Sequence, residues 1–163
     1  MDILAAQIGG ALKSHGLKLA TAESCTGGGV AYAITDVAGS SAWFERGFVT
    51  YSNLAKQQML GVSEATLAQH GAVSEAVVRE MVVGALVNSD AQVAVAISGI
   101  AGPDGGTLDK PVGSVWFAWG LKHGAAHAQH HQISGNRAEV RARSVHIALQ
   151  GVIDLLGRRT ELA

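Results

Sequence analysis

Apolar positions recur along this chain in two periods, and each change of period marks an element boundary. Ile3, Leu4, Ile8, Ala11 and Leu12 fall at helical spacing behind Asp2 as N-cap, and Gly16 closes the segment. Residues 17–22 then read as a short strand, and the turn Glu23-Ser24-Cys25-Thr26-Gly27-Gly28-Gly29 leads into a helical stretch reaching Val37. Residues 44–52, rich in aromatic and β-branched side chains, read as a strand. Asn53 follows as the cap of a short helix over 54–60, which places Lys56 early on that helix.

A second short helix over 61–71 precedes a longer one capped by Ser74, which turns Val77, Val78, Met81, Val82 and Ala85 inward and stops near Asn88. Residues 92–98 form a continuous apolar run, the pattern of a strand covered on both faces. The loop over 99–113 holds five glycines and both prolines. Residues 114–119 and 126–134 flank the turn Lys122-His123-Gly124 as an antiparallel hairpin. A last helix over 137–156 carries Val140, Val145, Ala148, Leu149, Val152, Ile153 and Leu156 at a 3.6-residue period, with Gly157 as its stop. Strands alternating with helices and then a hairpin predict a mixed sheet with helices on both faces. The expected fold is a single α/β domain over 1–163, a three-layer α/β/α sandwich.

Composition narrows what such a domain can do. With 163 residues, 48% of them apolar and 15% charged, the chain encloses one core without disulfides and is not a disordered segment. Twelve basic side chains against thirteen acidic ones leave a formal charge of -1, which offers no electrostatic footprint for nucleic acid or an anionic membrane surface. No apolar run approaches the roughly 20 residues that span a bilayer. The N-terminal stretch has no basic n-region or long apolar h-region. Cys25 is the single cysteine, so a cytoplasmic address is expected. The low charge also predicts that part of the apolar surface is covered by another subunit, as in a homo-oligomer.

The segment Ala22-Glu23-Ser24-Cys25-Thr26-Gly27-Gly28 sets a hydroxyl and a thiol between a strand and a helix start, where free N–H groups and the helix dipole favour an anion. It fits an oxyanion hole beside a nucleophilic Ser24, a phosphate cradle, or a plain helix cap. Cys25 competes as nucleophile, because a helix start lowers a thiol pKa. Neither a G-x-S-x-G elbow nor an S-x-x-K pair surrounds Ser24. Lys56 can act as base if it is held dry beside a serine, and is otherwise an ordinary solvated lysine. His123, His127, His130 and His131 have the look of a metal site, but no carboxylate lies near them in sequence, and a solvated sheet edge explains them as well. The glycines over 99–106 match neither a dinucleotide fingerprint nor a Walker A loop, leaving a ligand-facing loop or a structural turn. Arg137, Arg141 and Arg143 open the last helix, where an arginine could pair a phosphate or carboxylate.

Three segments taken together are more specific: TAESCTGG at 21–28, GSSAWFERGFVTYSNLAK at 39–56, and SGIAGPDGG with KPVGSVW at 98–106 and 110–116. They resemble the C-terminal domain of the competence/damage-inducible CinA family, in this order and over nearly the whole chain. The resemblance implies hydrolysis of the carboxamide of nicotinamide mononucleotide to nicotinic acid mononucleotide and ammonia, within pyridine-nucleotide recycling. It implies neither cofactor nor metal, and it implies a Ser/Lys pair in place of Ser/His/Asp. Carried over, the nucleophile falls on Ser24, the base on Lys56 and a supporting hydroxyl on Tyr51. Backbone N–H groups at Thr26 and Gly27 are the expected oxyanion hole, and Gly28, Gly102 and Arg137 the expected nucleotide-binding positions. The alternative within the same fold is a nucleotide-binding module without chemistry.

Overall fold

The computed structural model describes residues 2–162, with side chains from Ile3 to Arg158. In chain order the elements are α1 (Asp2–His15), β1 (Leu19–Glu23), α2 (Gly29–Thr35), a 3-10 turn (Ser40–Ala42), β2 (Phe44–Val49), α3 (Asn53–Leu60), α4 (Glu64–His70), α5 (Glu75–Val87), β3 (Val93–Gly99), β4 (Ser114–Leu121), β5 (His127–Gln132) and α6 (Arg137–Leu162). The five strands form one sheet in the order β2-β1-β3-β4-β5. β1 pairs parallel with both β2 and β3, while β4 and β5 add antiparallel. This is the mixed sheet the sequence predicts, with helices on both faces.

The two faces of the sheet are built differently. Leu19, Val93, Val95, Ile97, Val115, Phe117 and Trp119 project into one buried layer with α1, α2 and α6. Ala20, Ala22, Ala94, Ala96 and Ala118 project into the other, beneath Val77, Val78, Met81 and Val82 of α5. Strand alternation separates the two sets residue by residue. Each large side chain buried on the first face contributes about 1.5–3 kcal/mol. The alanine face contributes less per strand residue, but it leaves room for α5 to lie close against the sheet.

α5 in turn holds the helix that carries Lys56. A Cβ on Gly84 would stand 1.9 Å from the carbonyl oxygen of Leu60, the last residue of α3, so only glycine permits this approach. The usual cost of a mid-helix glycine, about 1 kcal/mol, is accepted for the packing.

The structure moves two helix boundaries away from the residues that the sequence marks for them. Ser52, not Asn53, is the N-cap of α3, its hydroxyl accepting from Ala55 N at 3.0 Å. Gly157 does not end the last helix, which continues to Leu162. A glycine stops a helix by adopting a left-handed conformation, and Gly157 is not among the positive-φ residues. The expected cap at Asp2 lies outside the described side chains. Ser74 does cap α5, accepting from Val77 N at 3.3 Å. Among the described residues no helix is long and apolar enough to cross a membrane.

Candidate active site

The carboxyl ends of β1, β2 and β3 open on one cavity of about 220 Å³. Crevices outside the carboxyl ends of parallel strands are where open α/β sheets bind ligands. Ser24 and Cys25 reach it from β1, Tyr51, Asn53 and Lys56 from the segment after β2, Ser98, Gly99 and Ala101 from the end of β3, and Arg137 from the start of α6.

The turn carrying Ser24 is fixed from beneath by Glu23. This carboxylate is fully buried and meets no basic side chain among the described residues. It accepts from the Thr26 hydroxyl at 2.6 Å, Val30 N at 2.8 Å and Ala31 N at 3.0 Å. The N-cap residue Gly28 has no side chain to offer α2, so Glu23 reaches across the turn and takes the free N–H groups of the first helical residues. The expected phosphate cradle at this helix start is therefore occupied by the chain's own carboxylate. Gly28, at φ 101°, is a turn residue and lines no part of the cavity.

On the upper side of the turn Ser24 Oγ faces Lys56. Lys56 Nζ lies 3.1 Å from Ser24 Oγ and 3.2 Å from the Tyr51 carbonyl oxygen, to which Ser24 Oγ also donates at 3.4 Å. Lys56 is the fourth residue of α3, where side chains point back toward the helix start and so toward Tyr51 and β1. It is 1% exposed, and no carboxylate pairs with it among the described residues. Burial pushes its pKa below the ordinary lysine value, with the neighbouring Cys25 opposing. A neutral lysine has a lone pair for the serine proton, and a dry lysine without a counter-ion is inclined to be neutral. Tyr51 contributes to this pair through its main-chain carbonyl. Its phenol, expected to support the lysine, instead accepts from Arg137 Nη2 at 3.3 Å at the rim, because the side chain leaves the chain away from the lysine.

Cys25 is buried, and burial pushes its thiol up to about 11. Its own backbone N–H opposes that shift, Glu23 adds to it, and Arg141 and Lys56 oppose it. A thiol kept protonated is a poor nucleophile, so Ser24 has the better claim.

The expected oxyanion donors are placed differently from one another. Gly27 N–H is committed to the Ser24 carbonyl at 3.0 Å, as the geometry of the turn requires at φ 59°. The N–H groups of Thr26 and of Cys25, the latter beside its own sulfur, donate to no oxygen among the described residues. Arg141 lies behind the turn, donating from Nε to the Cys25 carbonyl at 3.1 Å and from Nη2 to the Thr26 carbonyl at 3.4 Å. Arg137 donates from Nη1 to the Gly102 carbonyl at 2.7 Å. Gly102 thus meets the site through its carbonyl, holding the guanidinium at the cavity mouth. Arg143 turns away, to the Ser134 carbonyl and Glu139.

His127, His130 and His131 sit on the edge strand, and His123 lies in the turn before it. His127 and His131 pack on Trp119 and Phe117, His130 on Trp116, and no three His, Cys, Asp or Glu side chains converge on a metal position among the described residues. A separate cleft of about 230 Å³ between β5 and α6 is lined by His127, His131 and His146 but holds no nucleophile.

Sequence reading missed four of the residues around the cavity. Ser98, buried at the end of β3, was legible as the serine opening the glycine loop. Asn53 reads in the sequence as a helix cap. Ala72 and Val73 come from the turn before α5 and carry no chemical signal that could have placed them here.

The model of the CinA C-terminal domain matches residues 1–156. The nicotinamide-nucleotide amidohydrolase PncC of Escherichia coli K12 is 61% identical over 147 residues, covering 90% of this chain and 89% of that protein. Its namesake from Pseudomonas putida is 52% identical over 152 residues, covering 93% and 94%. Among solved structures, the competence/damage inducible protein CihA of Agrobacterium tumefaciens superposes with a TM-score of 0.92 at 46% identity, covering 94% of both chains. The motif around Ser24, the segment leading to Lys56 and the sheet that unites them therefore have one explanation: the chain belongs to the CinA C-terminal domain family.

Proposed function

We propose that this protein is a nicotinamide-nucleotide amidase that hydrolyses the carboxamide of nicotinamide mononucleotide by a serine mechanism. The observation that carries the reading is the 3.1 Å contact between Lys56 Nζ and Ser24 Oγ in a buried site where no carboxylate among the described residues pairs with the lysine. The relatives named for this activity support the substrate. A module that only bound nucleotides would have no use for a desolvated lysine aimed at a serine hydroxyl.

An amide is a weak electrophile with a poor leaving group, so three tasks fall to the site. Neutral Lys56 takes the Ser24 proton as Oγ bonds to the carboxamide carbon. The oxygen of the tetrahedral adduct is received by the free N–H of Thr26, with Cys25 N–H beside it. Gly27, the other expected donor, is held to the Ser24 carbonyl and is better read as the residue that closes the turn. Lysine ammonium then protonates the departing nitrogen, which leaves as ammonia, and the acyl group remains on Ser24. Lys56, neutral again, takes a proton from water as its oxygen attacks the ester. Collapse of the second adduct returns that proton to Ser24 Oγ and releases nicotinic acid mononucleotide. No metal or cofactor enters the sequence of steps.

Arg137 at the mouth is the candidate for the 5′-phosphate, with Gly102 holding it in place. The product is a pyridine nucleotide that serves NAD recycling, and a substrate from the nucleotide pool fits a cytoplasmic enzyme. Exposed Tyr32, Val83 and Val87 support the expectation of a homo-oligomer. The direct test is ammonia release from nicotinamide mononucleotide by the wild type, Ser24→Ala and Lys56→Met. Release that depends on both side chains supports the reading, and a wild type that binds the nucleotide without releasing ammonia makes the chain a binding module.

A further inference from the structure

We propose that Arg141 is a positioning residue for catalysis, which aims the Thr26 N–H into the oxyanion site by holding the Cys25 carbonyl from behind. The proposal rests on the amidase reading above and assigns a function to an arginine that lines no part of the cavity.

The argument is the geometry of a peptide unit. In a trans peptide the carbonyl and the following N–H lie in one plane and point in opposite directions. The Cys25 carbonyl and the Thr26 N–H belong to the same unit. Arg141 Nε donates to that carbonyl at 3.1 Å, so the Thr26 N–H is directed away from α6. A cationic donor on the carbonyl also polarises the amide, which strengthens the N–H at its other end.

The preceding unit is bound in the same manner, by different means. Its carbonyl, that of Ser24, accepts from Gly27 N–H at 3.0 Å, which directs the Cys25 N–H the opposite way. Two consecutive peptide units thus have their carbonyls engaged and no oxygen of the described residues on their N–H groups. Buried backbone donors are nearly always paired, and Cys25 and Thr26 are 5% and 2% exposed. An N–H pair of this kind beside a nucleophile is suited to receive charge that develops in a transition state.

The guanidinium packs close behind the turn. A Cβ on Gly27 would stand 3.3 Å from Arg141 Nη2, and Gly27 has a left-handed backbone. Arg141 is one helical turn beyond Arg137, so α6 presents one arginine to the cavity mouth and the next to the back of the serine turn. Planar Nε and Nη2 donors reach two successive carbonyls, which a lysine ammonium could not match in geometry.

The test uses the purified protein with nicotinamide mononucleotide and its thioamide analogue, whose sulfur accepts hydrogen bonds poorly. Wild type, Arg141→Met and Arg141→Lys are compared in kcat and KM, with thermal melts to establish that each is folded. The expected result is a fall in kcat of roughly 10–100-fold for Arg141→Met on the amide, with KM within about threefold, and a smaller fall for Arg141→Lys. The thioamide, which gains little from the oxyanion donors, should lose much less, so that the wild-type preference for the amide shrinks by about tenfold. The pH at which activity rises should not move, since Lys56 governs it. Equal losses on the two substrates, a loss confined to KM, or activity within threefold of wild type would each overturn the proposal. A wild type that releases ammonia from neither substrate brings down the amidase reading itself, and Arg141 with it.

Discussion

Lys56 Nζ stands 3.2 Å from the backbone carbonyl of Tyr51, five residues before it, and that contact turns the lysine toward Ser24. The acceptor is a main-chain oxygen with no charge, so it orients the amine without favouring the ammonium as a carboxylate would. In the proposed mechanism the base is thus kept available by what it lacks. Burial without an ion partner is costly to a charged lysine and cheap to a neutral one.

Substitution at the pair should therefore separate activity from stability. Ser24→Ala and Lys56→Met should each lower turnover by about 10³-fold or more, because nucleophile and base act as a unit. Cys25→Ala should keep most of the activity, its thiol being held protonated at about 11. Lys56→Met should melt higher than wild type at pH 7, on a scale of roughly 2–4 °C per kcal/mol gained for a domain of this size. Ammonia assays and thermal melts on the three variants decide it, and an active Ser24→Ala beside a folded but dead Cys25→Ala would transfer the nucleophile to the thiol.

The pH dependence follows from the direction of the Lys56 shift. Its folded pKa is below the unfolded one, so between the two values the unfolded chain binds more protons and stability rises with pH. Below the folded pKa the full cost of charging the buried amine is present, and above the ordinary value of 10.5 it has gone. Activity should rise with pH through the folded pKa and then level off. Replacing Lys56 with methionine should remove this rise from the stability curve, as read by urea unfolding across pH 7 to 10. A curve of unchanged shape would mean that the lysine is ordinary in the folded state.

Glu23 should prove more important to the fold than its place beside Ser24 suggests. Glu23→Ala leaves Val30 N, Ala31 N and the Thr26 hydroxyl without their acceptor, which should cost about 2–4 kcal/mol. Glu23→Gln keeps one acceptor oxygen in place and should cost about half as much. Denaturant unfolding measures both, and losses below about 0.5 kcal/mol would show that α2 finds another cap.

The sequence carried the order of layers because strand alternation is local. Val93, Val95 and Ile97 alternate with Ala94 and Ala96, and each set goes to its own face. It marked Ser24 and Lys56 as separate candidates, but it carried their pairing, and Tyr51, only through the family resemblance, since nothing local brings residues 32 apart to 3.1 Å. What it missed depends on which atom of a residue is used. Tyr51 acts at the pair by its carbonyl, Gly102 holds Arg137 by its carbonyl, and Glu23 answers a helix start seven residues away. Side-chain chemistry does not announce a main-chain role. Gly157 misled because a glycine stops a helix only if it turns left-handed, which tertiary packing decides.

The rim makes a prediction about the substrate's far end. Arg137 is exposed, donates to the Gly102 carbonyl at 2.7 Å and the Tyr51 hydroxyl at 3.3 Å, and is held at the cavity mouth before any ligand arrives. A guanidinium fixed in this way suits a phosphate, which it can meet with little further loss of side-chain freedom. Nicotinamide riboside, which lacks the phosphate, should therefore be a much poorer substrate than the mononucleotide, since remote binding energy is what holds the amide against Ser24. Arg137→Ala should cost the mononucleotide about 1.5–3 kcal/mol in kcat/KM, the range for a hydrogen bond to a charged group, and should cost the riboside far less. Substrate phosphate and guanidinium are then two corners of a cycle, whose coupling is the difference between the two losses. Tyr51→Phe supplies the control, because it removes a partner of Arg137 without touching the Tyr51 carbonyl, and should produce a smaller loss of the same kind. Equal losses on both substrates would mean that Arg137 acts on the fold of the loop through Gly102 and not on the phosphate.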